Sequence, residues 1–232
     1  GLVEAMQPYI EEAVGYLRES HPDILMTASY TLNEAYPKAY LARNMQVGHF
    51  HLYIKGVLNE LMANAGLNDE SVPFPNTFVQ SLLREEAPPF EQWTLPPGQE
   101  WRMEGNPVGM KLIYLHDWAD PDKWDLYLYD RYSDHRLAML QKADDRFEEV
   151  DVWNRHHGLP IVIGEGYVGY TPLHAGFEEG PVGKFIAEYC LRKGMKLGFW
   201  GMTLCSNCAP HHPFWNDVAW QRKWNRFILE SE

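Results

Sequence analysis

Apolar residues recur at three- and four-residue spacing from the start of the chain: Val3, Met6, Ile10, Val14 and Leu17. That period predicts an amphipathic helix over residues 2–20, and His21-Pro22-Asp23 breaks it. The run Ile24 to Tyr30 predicts a buried strand, and Tyr36 to Arg43 a short helix. In Val47 to Tyr53 the polar or aromatic His49, His51 and Tyr53 alternate with Phe50 and Leu52, the two-residue period of a second strand. A helix over Lys55 to Ala65 follows. From Asn68 to Gly109 the chain is rich in Pro and polar residues, with one helical stretch from Asn76 to Glu86. Met110 to Leu115 and Trp124 to Tyr129 read as extended segments joined by an Asp-rich turn, Asp117 to Asp122. Asn68 to Asp130 is therefore expected to be an insertion. Ser133 to His157 returns to helical spacing, with Leu137, Leu140, Ala143, Phe147, Val150 and Trp153 on one face. The apolar run Leu159 to Tyr167 predicts a strand, a helix over Glu178 to Lys193 is closed by Gly194, a strand lies within Lys196 to Thr203, and Pro213 to Leu229 is a final helix.

Strands alternating with helices predict an α/β fold with a parallel sheet. Its strands are Ile24–Tyr30, Val47–Tyr53, Ile161–Glu165 and Leu197–Trp200. In such sheets the C-terminal strand ends share one face, where ligands and chemistry gather. This chain places polar and aromatic side chains there: Ser29 and Tyr30, His51 and Tyr53, Glu165 and Tyr167, then Trp200 with Asn207 just beyond. Glu165 sits between Gly164 and Gly166, which leave room for a close approach. A carboxylate at a strand tip among His, Tyr and Trp suits a sugar ring: Glu165 to attack an anomeric carbon, Trp200 to stack on the ring, His51 and Tyr53 to bind hydroxyls or orient the acid.

Composition narrows the partners. The net charge is −12, without a basic stripe, so nucleic acid is not expected. No stretch approaches the roughly 20 apolar residues of a membrane span. The chain carries 9 Trp and 13 Tyr, which fits carbohydrate but also cores and interfaces. No phosphate-binding glycine loop occurs, and no cofactor is expected. Cys205-Ser-Asn-Cys208 has C-x-x-C spacing near His211 and His212, but ordinary thiols, a local disulfide and a metal site all remain open. A second metal reading would use His49, His51 and Asp117 in an unrelated hydrolase.

Ile161-Val-Ile-Gly-Glu-Gly-Tyr167, then a helix, then Leu197-Gly-Phe-Trp-Gly-Met-Thr203, resembles strands seven and eight of the clan A glycoside hydrolase barrels, the cellulase-like group above all. Val47 to Tyr53 is similar to strand six with its His-x-Tyr pair, Ile24 to Tyr30 to strand five, and the first helix to the one after strand four. The resemblance implies a (β/α)8 TIM-barrel type fold of which residues 1–232 form the C-terminal portion, with 68–130 inserted. It implies a retaining hydrolase with Glu165 as nucleophile, His51 and Tyr53 beside it, Trp200 in the sugar subsite, and no metal; Tyr167 and Asn207 join the expected sugar-binding set from their places at the strand ends. The family's acid/base Glu, at the end of strand four, would fall just before Gly1. The missing half of the barrel, or a homodimer, is thus an expected partner beside the carbohydrate. A truncated relative that binds sugar without cleaving it is the alternative.

Overall fold

The computed structural model describes residues 2–32, 38–69, 71–104, 109–168, 176–203 and 213–230. Helix α1 (Leu2–Ser20) leads to strand β1 (Ser29–Thr31), then β2 (Gly48–Tyr53) and α2 (Val57–Asn64). Helices α3 (Thr77–Leu82), α4 (Trp101–Glu104), α5 (Met110–Trp118) and α6 (Pro121–His157) follow, then β3 (Ile161–Tyr167), α7 (Pro181–Lys196), β4 (Gly201–Met202) and α8 (Val218–Leu229). The fold is mixed α/β, with four strands in the order β1-β2-β3-β4, each pair parallel. No helix among the described residues is long and apolar enough to cross a membrane.

The alternation in β2 sorts its two faces. Phe50 and Leu52 are fully buried towards the helix layer, while His49, His51 and Tyr53 are half-buried on the other face. Ile161 and Ile163 of β3 join Phe50 and Leu52 in one cluster with Val57, Leu58 and Leu61 of α2, Ala143, Phe147 and Val150 of α6, and Ile186 and Cys190 of α7. Phe147 stacks on Tyr167 and Phe199, with centroids 6.1 and 5.7 Å away.

Helix α6 departs most from expectation. Its 37 residues take in the segment Trp124 to Tyr129, and α5 takes in Met110 to Leu115, so neither predicted extended segment exists. Short apolar runs fit both periods, and end signals settled the matter. Asp120 accepts from the backbone N–H groups of Asp122 and Lys123, with Pro121 in the first turn. Trp124 and Leu128 then fall one turn apart and are buried. On its predicted face, Leu137 is 80 % exposed and Met139 is buried in its place. Trp153 meets Phe50 edge-on, and Met139 fills the space beside Gly56, so α6 runs antiparallel to β2. The 18 residues before Met139 extend about 27 Å past that point. Glu60 of α2 fastens this overhang through Tyr127, Arg131 and His135.

The edge strands are shorter than predicted. Only Ser29–Thr31 pairs in β1, and Ile24 and Leu25 are 58 % and 52 % exposed. Side chains take over the pairing upstream: Gln46 accepts from the Met26 N–H, and Thr27 donates to the Val47 carbonyl. At the other edge, Leu197–Trp200 is not a strand. Gly194 lies inside α7, Leu197 and Gly198 form the turn that ends it with Gly198 at φ 73°, and pairing begins at Gly201.

Candidate active site

The two central strands bring the chemistry together. From Gly48 opposite Ile161 to Phe50 opposite Ile163 the register is regular; then His51 pairs with Glu165, leaving Gly164 as an extra residue. The bulge sets Glu165 beside His51 at the C-terminal end of the sheet. A side chain at position 164 would collide with the His49 ring, and one at 166 with the Leu52 carbonyl. The two glycines thus let β2 approach closely.

The His51 Nδ1 lies 3.3 Å from a Glu165 oxygen, and its Nε2 lies 2.8 Å from the Ser29 hydroxyl. A ring nitrogen facing a carboxylate carries the proton. The proton therefore sits on Nδ1, within electrostatic reach of Glu165, and Nε2 accepts from Ser29. The side chains of His51 and Glu165 keep 23 % and 27 % of their surface, enough for a ligand to reach them. Burial above all pushes the His49 pKa below the ordinary value and favours its neutral form, and the neighbouring His51 ring, against which a second imidazolium would be repelled, adds to this. Its ring stands edge-on to His51 with centroids 5.6 Å apart. Tyr53, also edge-on to His51 at 6.2 Å, continues the row.

Other expected members lie elsewhere. Tyr167 is 1 % exposed against Phe147, so its ring belongs to the core. Trp200 is 66 % exposed, but its N–H donates to the Ile161 carbonyl at the N-terminal end of β3. Four residues separate Ile161 from Glu165, about 13 Å along the strand, so the structure does not bring Trp200 beside the carboxylate. Asn207 lies outside the described residues, as do Cys205, Cys208, His211 and His212. Asp117 is held by both guanidinium nitrogens of Arg102, at 2.8 and 2.7 Å, and Asp120 caps α6. Among the described residues no three His, Cys, Asp or Glu side chains are grouped to hold a metal, so the set His49, His51 and Asp117 is not assembled.

Ser29 stood among the strand-end side chains read from the sequence, but no role in the site was assigned to it. Its signal was alternation: in a three-residue strand Ser29 and Thr31 share the open face, while Tyr30 turns to the helix layer, where its hydroxyl accepts from the Ala42 N–H.

No known family profile and no curated protein matches the chain. A solved structure from Parabacteroides distasonis, described as a "putative glycoside hydrolase", superposes with a TM-score of 0.56 at 13 % identity. The match covers 96 % of this chain and 48 % of that one, so the chain spans about half that protein's length. At this identity the likeness is one of fold.

Proposed function

We propose that this chain is the C-terminal half, strands five to eight, of a retaining glycoside hydrolase barrel of the cellulase-like type. Strands β1 to β4 would be strands five to eight, and residues 68–130 the insertion that carries the wall beside the site. The observation that carries the reading is Glu165 at the C-terminal end of β3, with the His51 Nδ1 3.3 Å away. The half-length match to a protein described as a glycoside hydrolase supports it. So do the sheet's open margins: β1 and β4 each have one paired side among the described residues.

In this reading Glu165 attacks the anomeric carbon as the glycosidic bond breaks, and a glycosyl ester forms. The leaving oxygen takes its proton from an acid on the other barrel half, and water then opens the ester. His51 holds the Glu165 oxygen in place. Ser29 fixes the tautomer that lets it do so. Tyr53 lines the sugar side.

A 2,4-dinitrophenyl glycoside needs little protonation of its leaving group, so it tests Glu165 in this chain without the second acid. Glu165→Gln is expected to slow its cleavage by on the order of 10³-fold or more. A 2-fluoroglycoside should leave its covalent mark on Glu165, read by peptide mass spectrometry. Turnover within a few-fold of the parent in the Gln variant sinks the assignment.

A further inference from the structure

The same two contacts admit a different chemistry. We infer that Ser29, His51 and Glu165 form a serine nucleophile, its base and the base's orienting acid, and that this face cleaves short-chain esters of the O-acetyl kind. An acyl-transfer set is recognised by geometry and roles rather than by order in the sequence. The nucleophile must bond to the base, and the base to an orienting group. Here the Ser29 Oγ is 2.8 Å from Nε2, and Glu165 is 3.3 Å from Nδ1. Three adjacent parallel strands supply one member each, which holds them on a sheet rather than on loops. Ser29 is exposed, as a nucleophile needs to be.

The step balances within these groups. As the Ser29 oxygen bonds to the ester carbonyl carbon, its proton passes to His51 Nε2. The tetrahedral intermediate expels the alcohol oxygen, which takes that proton, and an acyl-serine remains. Water then attacks the acyl carbon, giving a proton to His51, and the collapsing intermediate releases the carboxylic acid as the Ser29 oxygen takes that proton back from His51. Glu165 keeps its charge throughout and stabilises the imidazolium. The neighbours on this face, Thr31, His49 and Tyr53, are polar or polar-tipped, which suits an acetyl-sized acyl group rather than a fatty one.

The inference does not rest on the glycosidase reading, because ester cleavage asks of Glu165 only that it orient His51, whether or not it also attacks a sugar. A fluorophosphonate probe, which marks activated serines, should label this chain at Ser29. p-Nitrophenyl acetate should be cleaved faster than the octanoate. Ser29→Ala should abolish the label and lower acetate hydrolysis at least about 100-fold with an unchanged thermal melt. His51→Gln should do the same, and the double variant should be no worse than either single one, because the set acts as a unit. A label elsewhere or none, or hydrolysis that survives Ser29→Ala, overturns the proposal. Loss of the phosphonate label at Ser29 and loss of a glycosyl label at Glu165 are read separately, so either reading can fail without the other.

Discussion

The two faces of β2 and β3 are built from the same residues in alternation, yet they do opposite work. Towards the helices stand Phe50, Leu52, Ile161 and Ile163, each 1 % exposed or less. Towards the open side stand His49, His51, Tyr53 and Glu165, all partly exposed, with Ser29 of β1 beside them. The first face is held by close-packed apolar contact, which is unspecific in direction and large in sum. The second is held by one directed hydrogen bond of 2.8 Å and one electrostatic contact of 3.3 Å. Stability and chemistry are thus separated by one residue of register, and a one-residue slip would exchange them. The bulge at Gly164 shows how narrowly that register is set.

The separation can be broken from the core side first. Phe147 is fully buried and stacks between Tyr167 and Phe199. Phe147→Ala should cost about 3–5 kcal/mol, which in a chain of 232 residues lowers Tm by on the order of 10 °C. Glu165→Gln, in contrast, should leave Tm within about 2 °C, the usual range for an exposed substitution. Calorimetry on the two variants compares the faces directly. A large loss in the Glu165 variant would mean that the polar face also carries the fold.

How much of this was legible in sequence follows the same divide. β2 and β3 were readable because each has a long periodic run, and pairing in the middle of the sheet leaves little freedom at their ends. β1 and β4 have one neighbour each among the described residues, so side chains and turns decide where pairing stops. Apolar Ile24 and Leu25 looked like strand, but the ladder starts only at Ser29. Trp200 looked like a strand end, but Gly198 at positive φ delays the strand past it. Met110 to Leu115 and Trp124 to Tyr129 were read by hydropathy alone, although Asp120-Pro121 between them is a strong helix start. Glu165, His51 and Tyr53 were visible from strand position. The contacts of His51 with Ser29 and Glu165 were not, because they depend on the register of three strands.

Outside both faces, Glu60 tests whether the overhang of α6 is a separate source of stability. Arg131 above all, then His135 and Tyr127, donate to its carboxylate and hold its pKa near 2, against an ordinary 4.5. A carboxyl lowered by folding stabilises above the unfolded value. That contribution fades as the pH falls from about 4.5 towards 2. The cluster is partly exposed, so water screens it, and Glu60→Gln should lower Tm by only about 2–4 °C at pH 7. The same comparison at pH 2.5 should give a smaller difference. An equal drop at both values would mean that Glu60 acts through packing rather than charge.

The smallest effect is expected at the residue whose sequence context promised one of the largest. A Trp that stacks on the substrate ring contributes a flat apolar platform, and its loss would show in both KM and kcat. Trp200, however, bonds to Ile161, about 13 Å down β3 from Glu165, and its ring is 66 % exposed. Its ring does not pack in the core, and its backbone is anchored well below the strand tips. Trp200→Ala should therefore change the cleavage of a dinitrophenyl glycoside or of p-nitrophenyl acetate by less than about twofold, and Tm by less than about 2 °C. A tenfold rise in KM for the glycoside alone would return Trp200 to the sugar site. It would also mean that this margin of the sheet adopts another register when the substrate is bound, since the present pairing of β4 with β3 leaves the ring on the wrong level.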